Sequence, residues 1–153
     1  MTSASLLTES LRANIVDSAR HWIGTPYCHQ ASSQGVGADC LGLVRGVWRD
    51  VIGPEPEALT AYAPDWAESS CQETLLAAAQ RHFMPQSIEA ISAGAVLLFR
   101  WRPYVPAKHI AIASSPSTMI HAHEGIRVCE VDLTSWWRRH LAAAFEFPCP
   151  MQI

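Results

Sequence analysis

A cysteine and two histidines are the residues of this sequence with the most chemistry to offer. Cys40 stands in Gly37-Ala38-Asp39-Cys40-Leu41-Gly42-Leu43-Val44, where a glycine-flanked loop runs into a helical pattern. Leu41, Val44, Val47, Trp48 and Val51 follow at helical spacing, and Gly53-Pro54 stops the run. Asp39 is a natural N-cap, which puts Cys40 in the first turn. There the unpaired amides and the positive end of the helix dipole favour an anion. The expectation is a thiol that ionises below its ordinary value of about 8.5, and the thiolate is the nucleophile. A free cysteine is as readily a small buried hydrophobe, so the decision falls to its partners.

The partners are His109, in Lys108-His109-Ile110-Ala111-Ile112, and His121, in Met119-Ile120-His121-Ala122-His123. A nucleophilic cysteine needs a base within hydrogen-bond reach and a third polar group to orient that base. Alternation along a strand puts His109 and Ala111 on one face and the two isoleucines on the other. A strand pair carrying His109 and His121 on that face, next to the head of the Cys40 helix, would assemble the set. The same side chains admit a second chemistry, a zinc hydrolase using Cys40, His109, His121 and His123. Against it, no HExxH is present and His121-x-His123 has no evident acidic partner. A third reading keeps the fold without turnover, as an assembly module.

These residues must be positioned by a small number of elements. Residues 8–23 read as a helix with Leu11, Ile15, Ala19, Trp22 and Ile23 in one stripe and Gly24 as its stop. A loop rich in Gly, Ser and Gln fills 24–38, and the Cys40 helix follows. Pro54, Pro56 and Pro64 mark an irregular segment over 53–68. Ser70-x-x-Glu73 reads as a capping box opening a helix to about Phe83, which Pro85 ends. Strands are expected at 95–100, 109–114, 118–123 and 126–131, the last two joined by a Glu124-Gly125 turn. A short helix at 134–141 and a closing strand at 142–147 complete the chain. Helices first and strands afterwards predict an α+β fold with an antiparallel sheet, and residues 1–153 read as one domain.

The bulk properties exclude several classes. At 153 residues, 49% hydrophobic and 16% charged, the chain has the composition of a globular domain. A formal charge of −3 leaves no electrostatic footprint for nucleic acid. No apolar run approaches the ~20 residues that span a bilayer. Glu9, Arg12 and Asp17 interrupt the apolar pattern of residues 1–24, so no signal peptide is expected and synthesis is expected to leave the protein in the cytoplasm. The five cysteines are an odd number without CxxC spacing, which predicts reduced thiols. Cys71, Cys129 and Cys149 read as structural. His123 reads as a rim residue and His29 as a solvated loop histidine. Trp136-Trp137-Arg138-Arg139 is a carbohydrate or partner surface on one reading and half core, half solvated edge on the favoured one. Trp101, between Arg100 and Arg102, belongs to a sheet edge or borders the cleft.

Gly24-Thr25-Pro26-Tyr27, Asp39-Cys40-x-Gly42-Leu43-Val44, Lys108-His109-Ile110-Ala111-Ile112 and Ile120-His121-Ala122 together resemble the NlpC family of papain-like cell-wall cysteine peptidases. The resemblance runs from about Asn14 to Phe147 and implies a papain-like fold with N-terminal helices packed on the sheet. It implies Cys40 as nucleophile, His109 as general base and His121 as the orienting third member. Tyr27 matches the tyrosine beside the nucleophile that helps polarise the oxyanion, with the Cys40 N–H as a further donor. Asp39 becomes a second candidate for substrate contact. The implied reaction is amide hydrolysis through a thioester, at the γ-D-glutamyl–diamino acid bond of a peptidoglycan stem, with no cofactor and no metal. The likeness is nearest to the branch carried by phages and gene-transfer agents. That branch puts phage-tail proteins among the expected partners and a phage-like particle among the expected locations. The chain departs from the pattern at Cys28-His29-Gln30, where many members have paired glycines, and at Leu41, where many have a serine. In those members the Asp-Ser pair is implicated in gripping the substrate's amino end.

Overall fold

The helical stripe read near the N-terminus becomes α1, Glu9–Arg20, in a computed structural model that describes residues 8–56 and 72–150. Thr8 caps α1 by accepting from the Leu11 amide at 3.0 Å. Ile15 and Ala19 are buried on the stripe, whereas Ile23 lies beyond the helix end and is exposed. A two-residue pair, β1 (Ser32–Ser33) and β2 (Gly37–Ala38), organises the loop that follows. The Cys40 helix, α2, spans Cys40–Val51. Its apolar spacing buries Leu43, Val44 and Val47 in a core shared with Ile110, Ile112 and Ile120 of the sheet. Each such side chain contributes about 2 kcal/mol on burial, so the head of α2 cannot leave the sheet cheaply.

The third helix, α3, is Thr74–His82. The helix starts later than a capping box at Ser70 would begin it. Glu73 is itself the N-cap position and makes no side-chain cap bond. Its carboxylate instead accepts from Arg100 at 2.6 Å and from the Ala107 amide at 2.8 Å. Ser70, Cys71 and the proline-bearing stretch from residue 57 on lie outside the described residues.

The remaining elements are β3 (Met84–Gln86), β4 (Val96–Phe99), β5 (His109–Ser115), β6 (Thr118–His123), β7 (Ile126–Asp132), α4 (Ser135–Arg139) and β8 (Leu141–Glu146). They form one antiparallel sheet in the order β3-β8-β4-β5-β6-β7. Pro85, read as a helix stop, sits inside β3; that strand is at the sheet edge, where a missing N–H costs nothing. Gly125 takes φ +78° in the β6–β7 turn, the left-handed backbone a tight hairpin requires. The short helix ends earlier than expected because Leu141 already belongs to β8.

The sheet is covered on both faces. Val96, Leu98, Ile110, Ile112 and Ile120 meet α1, α2 and α3 in one core. Leu97, Phe99, Ala111, Ala113 and Met119 form a second core with Leu133 and Trp137. Arg12 of α1 ties the helical layer to β8 through Glu146 at 2.7 Å.

Close approach of the first two helices depends on Gly46. A Cβ there would overlap the Trp22 ring at the end of α1. Gly46→Ala is therefore expected to lower the unfolding free energy by about 1–3 kcal/mol, the range for overpacking a well-filled core. Urea unfolding of the variant measures this; an unchanged midpoint would mean that Trp22 yields freely.

Candidate active site

The loop before Cys40 is held by its own backbone. Tyr27 forms a parallel bridge with Ala38, framed by Ala38 N–H to the Pro26 carbonyl at 3.0 Å and Cys28 N–H to the Ala38 carbonyl at 3.1 Å. Asp39 is buried and uses both carboxylate oxygens. Oδ1 accepts from the Gly42 amide and Oδ2 from the Gln30 amide, each at 2.7 Å. Gly42 is required because a Cβ would overlap the Ala31 carbonyl oxygen. Gln30 adopts φ +65°, a left-handed backbone that non-glycine residues adopt reluctantly and that this packing holds in place. Ser32 donates to the Gly42 carbonyl at 2.6 Å and closes the loop on α2.

Cys40 thus emerges at the head of α2, but its electrostatics reverse the expectation from sequence. Burial pushes the thiol up to about 12, and the adjacent Asp39 carboxylate adds to the effect. The backbone amides of Ile110, Leu41 and Cys40 favour the thiolate, as a helix head should, and do not win. The capping carboxylate that builds the helix start also penalises a second negative charge beside it. The resting sulfur is a thiol.

His109 opens β5 and is buried. Its Nε2 lies 2.8 Å from Nδ1 of His121 on β6. The two therefore share one hydrogen bond, and Nδ1 of His109 is the ring nitrogen outside it. The pairing of β5 with β6 runs from Ser115–Thr118 only as far as Ile112–Ile120. Where the ladder stops, the two histidines begin. Trp101 and Trp137 both stack on the His109 ring, with centroids at 5.4 and 5.6 Å. Burial drives His109 well below its ordinary 6.5, assisted by His121 and His123. Burial, with His123 second, lowers His121 to about 4. Both rings are neutral at pH 7.

Cys40 and His109 line one open cleft of about 410 Å³ with Tyr27, Trp101, His123 and Trp136. His121 stands behind His109, and Asp39 lies under the loop; neither lines the cleft. Asp39 acts as the cap that the sequence suggests, with its two oxygens on the Gly42 and Gln30 amides. Burial raises the Tyr27 phenol to about 12, with Asp39 and Cys40 adding to the shift, so it stays protonated and able to donate. His123 is half-buried at the rim, its ring 5.4 Å from that of His109. His29 has Nδ1 3.8 Å from Asp39 Oδ2 and does not line the cleft. Lys108, Ala122 and Glu124 do, and nothing in their local sequence singles them out except adjacency to His109 and His123. Among the described residues no three His, Cys, Asp or Glu side chains are grouped to hold a metal ion, so the zinc set is not assembled. Among them also no two cysteines are bonded.

The buried imidazoles make stability depend on pH. Below pH 6.5 the unfolded chain takes up protons that the native rings refuse, so stability is greatest above that pH and is lost as pH falls toward 4. His121, displaced from 6.5 to about 4, accounts for roughly 3 kcal/mol of that loss. The urea midpoint should fall between pH 7 and pH 4.5, and less steeply in His121→Gln. Parallel pH dependences for the two proteins would contradict the burial of a neutral ring.

No protein-family model and no curated protein matches the sequence. Solved structures do match. A Staphylococcus aureus NLP/P60 family protein, described as similar to a lipoprotein, is 24% identical with a TM-score of 0.63, over 96% of this chain and 44% of that one. A Bacillus cereus NlpC/P60 family protein is 18% identical with a TM-score of 0.64, over 89% of this chain and 40% of that one. The NlpC/p60 domain of the peptidoglycan hydrolase SagA is 26% identical with a TM-score of 0.63, over 89% of this chain and 98% of that domain. The chain therefore spans less than half the length of the first two proteins and nearly all of the SagA domain. Its α+β architecture, helices on an antiparallel sheet, is the papain-like fold of NlpC/P60 proteins.

Proposed function

We propose that this protein is a cysteine peptidase that hydrolyses an amide bond in the peptide stem of peptidoglycan. The observation that carries the reading is one cleft lined by Cys40 and His109, with His109 hydrogen-bonded through Nε2 to His121 at 2.8 Å. The likeness to a domain of a peptidoglycan hydrolase over 98% of its length supports the substrate class. The γ-D-glutamyl–diamino acid bond and the phage branch rest on the sequence motifs alone.

The chemistry starts from a neutral pair, because burial holds Cys40 as a thiol and His109 as an imidazole. As Sγ attacks the carbonyl carbon, Nδ1 of His109 takes the thiol proton. Its Nε2–H donates to Nδ1 of His121, which fixes the tautomer and spreads the new positive charge. The tetrahedral oxyanion is met by the Cys40 amide at the head of α2 and by the protonated Tyr27 phenol. Collapse breaks the C–N bond, His109 returns the proton to the departing amine, and a thioester remains. Water then attacks the thioester, with His109 taking its proton and the sulfur leaving as thiol after reprotonation.

Three outcomes test this. Cys40→Ala should abolish cleavage of purified muropeptides, read by mass spectrometry, while leaving the circular dichroism spectrum intact; undiminished turnover would falsify the assignment. His109→Ala should cost about 10²–10⁴ in kcat/KM, and His121→Ala less, because it orients the ring and transfers no proton. Because His109 titrates well below 6.5, the acid limb of kcat/KM should lie below pH 6.5 and the profile should be flat from there through neutrality. A fall in kcat/KM on the alkaline side near pH 8, where an imidazolium partner would lose its proton, would instead indicate a pre-ionised sulfur.

A further inference from the structure

Trp136 is 45% exposed and lines the cleft beside Cys40 and His109. Its neighbour Trp137 packs into the second core, so the Trp-Trp pair divides into a buried and a solvated half. The exposed ring is nonetheless held. His140 stacks on it with centroids 4.0 Å apart and planes at 23°, and His140 Nδ1 lies 2.6 Å from the Trp136 carbonyl oxygen. Trp137 meets it edge-on at 4.9 Å. Trp101, which also lines the cleft, lies 6.1 Å away with its plane tilted by 38°. An indole left in water forfeits the stabilisation of burial, and an ordered one at the mouth of a cleft marks a ligand surface.

The surroundings select the ligand. An apolar side chain would need a closed apolar pocket, whereas this cleft is open and carries Lys108, His123 and Glu124 beside the indoles. A pyranose has the matching mixed character: a face of C–H bonds for an aromatic plane, and hydroxyl or amide groups at its edge for polar side chains. We propose that Trp101 and Trp136 form a sugar-binding shelf, which holds a glycan ring of peptidoglycan beside the amide to be cut and makes glycan-linked peptides better substrates than released ones. This rests on the peptidase reading above.

The test compares a disaccharide-linked stem peptide with the same peptide freed of its sugar. Wild type should favour the glycan-linked form roughly five- to tenfold in kcat/KM, the effect of one good aromatic stack, expressed mainly in KM. Trp136→Ala should bring that ratio to about one, and Trp136→Phe should retain part of it. A wild-type ratio of one, or a ratio unchanged in Trp136→Ala, overturns the shelf. Tryptophan fluorescence titrated with chitotriose gives a readout independent of hydrolysis. Saturable quenching that is lost in Trp136→Ala supports the shelf, and no saturable change in wild type overturns it. If wild type cleaves neither peptide, the peptidase reading fails and the titration alone decides the shelf.

Discussion

Everything near the sulfur depends on one carboxylate. Asp39 spans the start of α2 and the preceding loop by accepting one amide on each oxygen, from Gly42 and from Gln30. That clamp joins the Tyr27–Ala38 bridge and the Ser32–Gly42 bond in fixing the loop to the helix that carries Cys40. Gly42 and the left-handed Gln30 are consequences of the same contact, since both let the backbone of 30–31 come close to the helix. The arrangement has an electrostatic cost, because a buried anion one residue before the nucleophile opposes its ionisation. Structure and reactivity are in tension at this residue. A neutral thiol with a neutral imidazole is how the fold resolves it.

The histidine half of the site is governed by where a ladder stops. Beyond Ile112 and Ile120 strands β5 and β6 no longer pair, and His109 and His121 meet through their side chains instead. Aromatic rings close over the pair, with Trp101 and Trp137 on His109 and Trp137 edge-on to His121 at 5.3 Å. Removing water in this way keeps both rings uncharged and lets a single hydrogen bond fix their tautomers.

Much of this was legible in the residues. Asp39 followed by apolar residues at helical spacing defined α2 to its exact first residue, and alternation in Lys108–Ile112 put His109 opposite the isoleucines. Local patterns succeed where the side chain's partner is a few residues away. They fail where the partner is distant. Glu73 resembled a capping residue because its spacing from Ser70 is right, yet Arg100 and Ala107, far along the chain, claim its carboxylate. Pro85 reads as the end of α3, which does stop at His82. What its local pattern does not show is the edge strand that takes it in, where its donor is not needed. The ionisation of the Cys40 thiol departs from expectation for the same reason: the helix head is local, whereas the desolvation that raises the thiol is tertiary. Lys108, Glu124 and Trp136 join the cleft only through the fold.

The position of β8 has a bearing on how the protein is made. Residues 141–146 follow β7 in sequence, yet they lie between β3 and β4 in the sheet. Until that segment leaves the ribosome, β4 lacks one neighbour and β3 lacks the strand it pairs with among the described residues. The nascent sheet therefore carries an open seam until β8 is made, and the pairings that close it are the longest in sequence among those of the sheet. A sheet closed by β8 sets its full order late, and chains interrupted before residue 141 would be left with unpaired, sticky edges on β3 and β4.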